Sequence, residues 1–84
     1  MKEFKGFIEL DSGVSHEFMF SRISLVEEKC LVIVLDKDNK YVLFYMKSEN
    51  KNWKFFKRSD IPQWILGLEE KLSETIISNN LFSK

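Results

Sequence analysis

The sequence predicts a small α+β domain: an antiparallel meander sheet of four to five strands, with one C-terminal amphipathic helix packed across one face. Three observations favour this fold class. Short runs rich in β-branched and aromatic residues alternate with turn residues over residues 4–58. A single apolar stripe with helical spacing follows them. The length of 84 residues suits one domain, spanning residues 1–84.

The first two strands are predicted from the alternation of apolar and polar residues. This pattern indicates one strand from Phe4 to Leu10 and a second from His16 to about Ile23. Asp11-Ser12-Gly13 between them is typical of a turn, because glycine adopts left-handed backbone angles at low cost. Residues 26–29 are expected to connect the second strand to the third.

The third strand has the strongest signal in the chain. Cys30–Leu35 is dominated by β-branched residues and is too short for an ordinary helix. Residues 37–40 are expected to form a hairpin loop that leads to a return strand from Tyr41 to Met46. Asn50-Lys51 marks another turn, and Trp53–Arg58 is predicted to be the last short strand.

A helix is predicted from Asp60 to Ile76. Asp60 is the expected N-cap, with Gln63 three residues later as in a capping box, and Pro62 is tolerated in the first turn. Asn79-Asn80 is expected to end the helix and residues 81–84 to form a short tail. The apolar stripe recurs at spacings of three and four residues and is expected to face the core: Ile61, Ile65, Leu68, Leu72 and Ile76.

Composition excludes several classes of protein. The formal net charge is zero, which excludes a strongly basic, histone-like chain. The charge is uneven, because residues 37–58 carry seven basic and two acidic residues, whereas residues 60–77 carry four acidic residues and one lysine. We find no signal peptide and no membrane span, so a cytoplasmic protein that does not bind membranes is expected.

Catalytic and metal-site patterns are absent from the sequence. His16 and Cys30 are the only residues of their kinds, and nothing in the pattern brings them within hydrogen-bonding reach of each other. A zinc site needs more such ligands, and no glycine-rich phosphate loop occurs. We therefore expect a protein that is not an enzyme and has no cofactor and no metal.

The strand register decides which side chains lie on the sheet face away from the helix. If the first hairpin pairs Asp36 with Tyr41, one face is large and apolar and suits the helix stripe. That face would carry Leu31, Ile33, Leu35, Val42, Phe44 and Met46. The opposite face would carry Val32, Val34, Asp36, Tyr41, Leu43 and Tyr45. A three-residue loop would shift this pairing by one residue.

The second hairpin adds to both faces. Pairing Ser48 with Trp53 sets Lys47 directly opposite Lys54, and such like charges cost stability unless an anion lies nearby. The exposed face is then expected to combine aromatic rings with cations: Tyr41, Tyr45, Lys47, Lys54, Phe56 and Arg58.

This combination predicts a small module that binds single-stranded DNA or RNA. Bases stack on aromatic rings while cations contact phosphates, and each stacked base is worth roughly 1–3 kcal/mol. Two other interpretations remain open. The same rings are suited to pack a dimer partner, or to serve as the hot spot of a protein-interaction module, such as a bacterial or phage regulator or inhibitor.

The stretch from Lys29 to Glu74 resembles the Pur-repeat proteins and, more loosely, the Whirly and positive-cofactor class of single-stranded DNA-binding domains. The likeness lies in the order of strand, charged turn, strand, variable turn, short strand and helix. The usual Asn-Arg-x-Gly turn of the Pur family is replaced by Asn39-Lys40-Tyr41. The resemblance implies a homodimer, and it adds residues of the first turn to the nucleic-acid site: Lys37, Asn39 and Lys40.

Overall fold

The computed structural model describes residues 3–23 and 28–79 and contains one antiparallel sheet in the order β1-β2-β3-β4-β5. A helical region follows the sheet, which confirms the predicted α+β class and the meander. Residues 26 and 27 of the predicted connection, Asn80 of the predicted helix end and the predicted tail lie outside the described residues. The strands are β1 (Glu3–Glu9), β2 (Ser15–Arg22), β3 (Lys29–Leu35), β4 (Tyr41–Glu49) and β5 (Asn52–Phe55).

The hairpin between β3 and β4 differs from the predicted one by a single residue. Leu35, rather than Asp36, pairs with Tyr41. The backbone N–H of Asn39 donates to the Asp36 carbonyl at 3.0 Å, and Asn39 adopts a left-handed φ of 61°. A turn followed by one left-handed residue is a common form of the three-residue hairpin loop. The Asp36 carboxylate also accepts hydrogen bonds from the N–H groups of Asp38 and Lys40.

The register shift exchanges the two faces of β3. Val32 and Val34, predicted to be exposed, are buried with 0% and 2% of their surface accessible. Leu31, Ile33 and Leu35, predicted to be buried, lie on the other face, because side chains alternate along a strand. The predicted faces of β4 are correct, since Phe44 and Met46 are buried while Tyr41, Leu43 and Tyr45 are exposed.

The hairpin between β4 and β5 has the predicted register. Ser48 pairs with Trp53, and Lys47 pairs with Lys54. Asn50 and Lys51 occupy the turn with φ values of 52° and 70°. Two successive residues with positive φ are the geometry of a two-residue type I′ hairpin, whose twist matches that of the strands.

The helical region is interrupted. A 3-10 turn (Arg58–Asp60) is followed by α1 (Gln63–Leu66) and α2 (Glu69–Ser78). The predicted strand end at Arg58 and the predicted N-cap at Asp60 are therefore wrong: β5 ends at Phe55, and Asp60 lies inside the 3-10 turn rather than at the start of an α-helix. Pro62 precedes α1 instead, where the absence of its N–H costs nothing.

The hydrophobic core contains residues from both the sheet and the helical region. All five residues of the predicted helix stripe are buried despite the interruption, which confirms their assignment to the core. Contacts of α2 are made with β5 and, less extensively, with β1. Within the described ranges, no helix is long and apolar enough to cross a membrane. The largest fully buried side chains are Phe18, Phe20, Met46, Ile65, Leu72, Ile76, Val32, Val34 and Cys30.

Candidate nucleic-acid interface

The sheet surface that does not contribute to the hydrophobic core is called the outer face. It is formed by the residues that alternate with the buried positions of the strands, and several of its large side chains are exposed. Tyr41 and Tyr45 are accessible over 70% and 47% of their surface, respectively, as the sequence predicts for an exposed aromatic pair. The outer face of β3, β4 and the strand end after β5 carries Lys29, Leu31, Ile33, Leu35, Tyr41, Leu43, Tyr45, Lys47, Lys54 and Phe56.

Three lysines lie side by side across the sheet at one end of the outer face. Lys29 of β3 pairs with Lys47 of β4, and Lys47 pairs with Lys54 of β5. Directly opposite residues on neighbouring strands project to the same side of a sheet, and their Cβ atoms are about 4.5–5.5 Å apart. Lys29, Lys47 and Lys54 are called the lysine row. The row concentrates positive charge in a chain whose net charge is zero.

Phe56 lies next to this row and contacts two of its members. Its backbone N–H donates a 2.9 Å hydrogen bond to the Tyr45 carbonyl, which fixes the position of the residue beyond the end of β5. The Lys29 Nζ lies 4.5 Å from the centre of the Phe56 ring, and the Lys47 Nζ lies 5.8 Å from it. Both distances are within the range of cation–π attraction.

The Glu49 carboxylate lies near Lys47 of the lysine row. The Lys47 Nζ is 4.0 Å from a carboxylate oxygen of Glu49, and both side chains are about half exposed. An ion pair of that length between exposed groups contributes little and is screened by salt. Lys47 therefore keeps most of its capacity to bind another anion.

The turn residues implied by the family resemblance lie far from the lysine row. Lys37, Asn39 and Lys40 are exposed in the loop before Tyr41, whereas Lys47 is six residues further along β4. At about 3.4 Å per residue, six residues of a strand span about 20 Å. The structure thus divides the predicted site into two regions at opposite ends of β4.

Arg58 is not on the outer face, contrary to the prediction. Its guanidinium group lies 3.2 Å from the Glu69 carboxylate of α2 and 5.6 Å from the ring of Phe55, which belongs to the core. The reason is that β5 ends before Arg58, so strand alternation no longer sets the direction of its side chain. We remove Arg58 from the candidate site.

The prediction also missed residues that the outer face contains. Lys29 was assigned to a connection, although it is the first residue of β3 and pairs with Lys47. A three-residue loop in the first hairpin would have predicted the pairing of Lys29 with Lys47. The same shift brings Leu31, Ile33 and Leu35 onto the outer face, so its centre is more aliphatic than expected.

A cavity of about 440 Å³ lies at the opposite end of the outer face from the lysine row. Its walls include apolar side chains and both signs of charge, from Lys5, Glu17, Met19, Leu35 and Tyr41. Asn39 of the predicted site also contributes to its wall. Among residues 3–23 and 28–79, no group of three or more His, Cys, Asp or Glu side chains is arranged to hold a metal ion.

No family model, curated protein or solved structure matches this chain. The resemblance to the Pur-repeat proteins therefore stays a prediction.

Proposed function

We propose that this chain binds single-stranded nucleic acid on its outer face, with bases stacked on exposed aromatic rings and phosphates bound by the lysine row. The observation that carries the proposal is the alignment of Lys29, Lys47 and Lys54 beside exposed Tyr45. Rings and cations in neighbouring positions are what single strands require, because every base has a face that stacks and every nucleotide has a phosphate.

The placement of the helical region supports this proposal. We infer that α2 lies across the core face of the sheet, since its side chains contact β5 at one edge and its Thr75 approaches Gly6 of β1 at the other. A helix in that position leaves the outer face accessible to a ligand. Tyr45 and Ile65 then lie on opposite sides of the sheet, in keeping with their exposures of 47% and 0%.

Fluorescence anisotropy of labelled oligonucleotides tests the proposal. We expect micromolar binding to single strands at low salt, steep weakening as salt is raised, and weaker binding to a duplex. Tyr45→Ala should weaken binding about 5- to 150-fold, the equivalent of one lost stacking contact. Ile77→Ala on the exposed side of α2 is the control and should leave the affinity unchanged. A wild-type chain that binds no single strand at low salt would refute the proposed function.

The apolar centre of the outer face favours a second candidate function, a protein interface. Leu43 and Leu35 are accessible over 58% and 40% of their surface, and aliphatic side chains do not stack bases. Exposed apolar patches commonly mark sites of protein association. A second copy of this chain is the partner that the resemblance implies. Sedimentation should then show a concentration-dependent dimer that Leu43→Glu dissociates, whereas a chain that stays monomeric at high concentration would exclude it.

A further inference from the structure

The two edge strands of the sheet differ in how their outward backbone groups are bonded. On β5, the N–H groups of Trp53 and Phe55 donate to side chains of α2. On β1, the hydrogen-bonding pattern follows from Leu10, whose N–H donates to the Val14 carbonyl at 2.8 Å. Hydrogen-bonded residues alternate along an antiparallel pair of strands. The even-numbered residues of β1 therefore bond to β2, and its odd-numbered residues direct their N–H and C=O groups away from the sheet.

β1 presents a regular edge to which another strand can bond. Its pairing with β2 is continuous over Glu3–Glu9, without a bulge or a proline. Among the described residues, the outward backbone groups of Lys5 and Phe7 have no hydrogen-bond partner. The Glu9 carbonyl accepts a 2.9 Å hydrogen bond from Lys71 Nζ, and its second lone pair can accept an N–H. An edge of this kind is a template for pairing with another chain.

The charges of β1 select a second copy of the same strand as the partner. If two copies pair antiparallel around Phe7, Lys5 of each copy lies directly opposite Glu9 of the other, and the two Phe7 side chains lie opposite each other. Pairing around Lys5 would instead oppose two lysines, and pairing around Gly6 would oppose Glu3 to Glu9 twice. Because like charges in opposite positions are destabilising, the register around Phe7 is favoured.

We propose that two copies of this chain associate through their β1 edges, as an antiparallel pair of strands centred on Phe7. A twofold axis perpendicular to the sheet relates the copies, so the same residues of both contribute to the contact. Phe7 is accessible over 72% of its surface in the single chain, and this pairing gives its ring an aromatic partner. The two outer faces then lie on the same side of the joined sheets. The inference goes beyond the proposed function, because it uses a sheet edge and needs no nucleic acid.

Exchange of the two charges tests the partner and the register together. Lys5→Glu and Glu9→Lys each set like charges opposite each other at both symmetric contacts, and each should weaken dimerisation about 5- to 100-fold in sedimentation equilibrium. The double variant Lys5→Glu/Glu9→Lys restores opposite charges and should dimerise like wild type. Both side chains are exposed, so folding should be unaffected, which circular dichroism checks. Lys57→Glu makes the same change in net charge at an exposed position away from β1 and is the control.

Hydrogen exchange at two protein concentrations locates the contact. The N–H groups of Lys5, Phe7 and Glu9 should exchange more slowly at the higher concentration, whereas those of Gly6 and Ile8 bond to β2 and should be protected at both. A wild-type chain that stays monomeric, or a double variant that dimerises no better than the single variants, would overturn the inference. A dimer that Leu43→Glu dissociates and the charge variants do not affect would assign the contact to the outer face and would also overturn it.

Discussion

The backbone N–H of Trp53 donates a 2.8 Å hydrogen bond to the hydroxyl of Ser73, which is 5% exposed. Trp53 belongs to β5, the edge strand of the sheet, and the next outward N–H along this strand, that of Phe55, donates to the Glu69 carboxylate at 2.9 Å. Four residues of helix advance about 6 Å, and two residues of strand advance about 6.6 Å. The spacing of Glu69 and Ser73 on α2 therefore matches the spacing of the two N–H groups of β5 that point away from the sheet. By accepting hydrogen bonds from them, α2 protects this edge of the sheet from pairing with another chain.

Ser73→Ala should lower the free energy of unfolding by about 1–3 kcal/mol, because it removes the acceptor of a buried backbone N–H. Urea denaturation measures the change. Ser73→Thr retains the hydroxyl and should recover part of the loss, and Ser78→Ala at an exposed position of the same helix should cost little. Equal stability of the Ser73 and Ser78 alanine variants would show that the hydrogen bond does not contribute.

The contact between Ser73 and Trp53 was not predictable from the sequence, whereas the apolar stripe around it was. Leu72 and Ile76 follow a helical repeat that can be read directly, because burial of an apolar face sets their spacing. Ser73 falls outside that repeat and is buried only because a strand edge meets α2 at that point. Such a contact depends on tertiary structure, which local residue patterns do not record.

The register of the first hairpin illustrates a second limit. Both faces of β3 are apolar, so Val32 and Leu31 each suit the core, and the hydrophobic pattern does not choose between them. The loop sets the register, because Asn39 adopts a left-handed φ and the Asp36 carboxylate accepts hydrogen bonds from two N–H groups. In β4, by contrast, Tyr41 and Lys47 lie at the two ends of the alternating apolar pattern. The faces of this strand were predicted correctly.

Gly6→Ala should destabilise the protein by about 1–3 kcal/mol through crowding between β1 and α2. A Cβ atom at Gly6 would lie 3.1 Å from Cγ2 of Thr75. Thr75 cannot rotate away freely, because its hydroxyl donates a 2.8 Å hydrogen bond to the Lys71 carbonyl. Thermal unfolding of the single variants and the Gly6→Ala/Thr75→Ser pair measures the coupling, and the pair should recover most of the loss.

A second glycine supplies the control for this experiment. Gly67 has no heavy atom near its would-be Cβ and has a φ of −76°, so Gly67→Ala should leave stability unchanged or raise it by about 0.4–1 kcal/mol. If Gly6→Ala is no more destabilising than Gly67→Ala, then α2 does not pack closely against β1.

Asp36→Ala should destabilise the protein at neutral pH and have a smaller effect in acid. The N–H of Lys40 is the main cause that holds the pKa of the Asp36 carboxyl below its ordinary value, and the N–H of Asp38 adds to it. A carboxyl whose pKa is lowered by folding stabilises the folded state above its ordinary pKa, and this contribution is lost as pH falls. Melting temperatures of wild type and Asp36→Ala should therefore converge in acid.

Asp36→Asn separates the charge of this side chain from its geometry. It keeps an acceptor oxygen for the two N–H groups, so it should be more stable than Asp36→Ala at neutral pH. Because the side chain of the Asp36→Asn variant cannot ionise, the stability gap between Asp36→Asn and wild type should still narrow as the pH falls, as it does for Asp36→Ala. A constant gap between wild type and Asp36→Ala from neutral pH to acid would contradict the assignment.

Cys30 should make the folded state less stable as pH rises above its ordinary pKa. Burial raises the pKa of its thiol from 9.0 to about 12, and a backbone hydrogen bond with Ser21 opposes this only in part. The unfolded chain releases the thiol proton from about pH 9 upward, while the folded chain holds it until about pH 12, so the free energy of unfolding falls over this interval. The stabilisation present below pH 9.0 is therefore lost progressively toward about pH 12.

Cys30→Val provides the comparison, because it fills a similar buried volume and has no proton to lose. Every other side chain is the same in both proteins, so all other effects of pH cancel in the difference. Urea denaturation at about pH 8 and about pH 11 should show wild type losing more stability than Cys30→Val over this interval.

A thiol-reactive dye should likewise label native Cys30 only through unfolding, because its side chain is 0% exposed. Rapid labelling of the native protein would contradict its burial and the pH dependence derived from it.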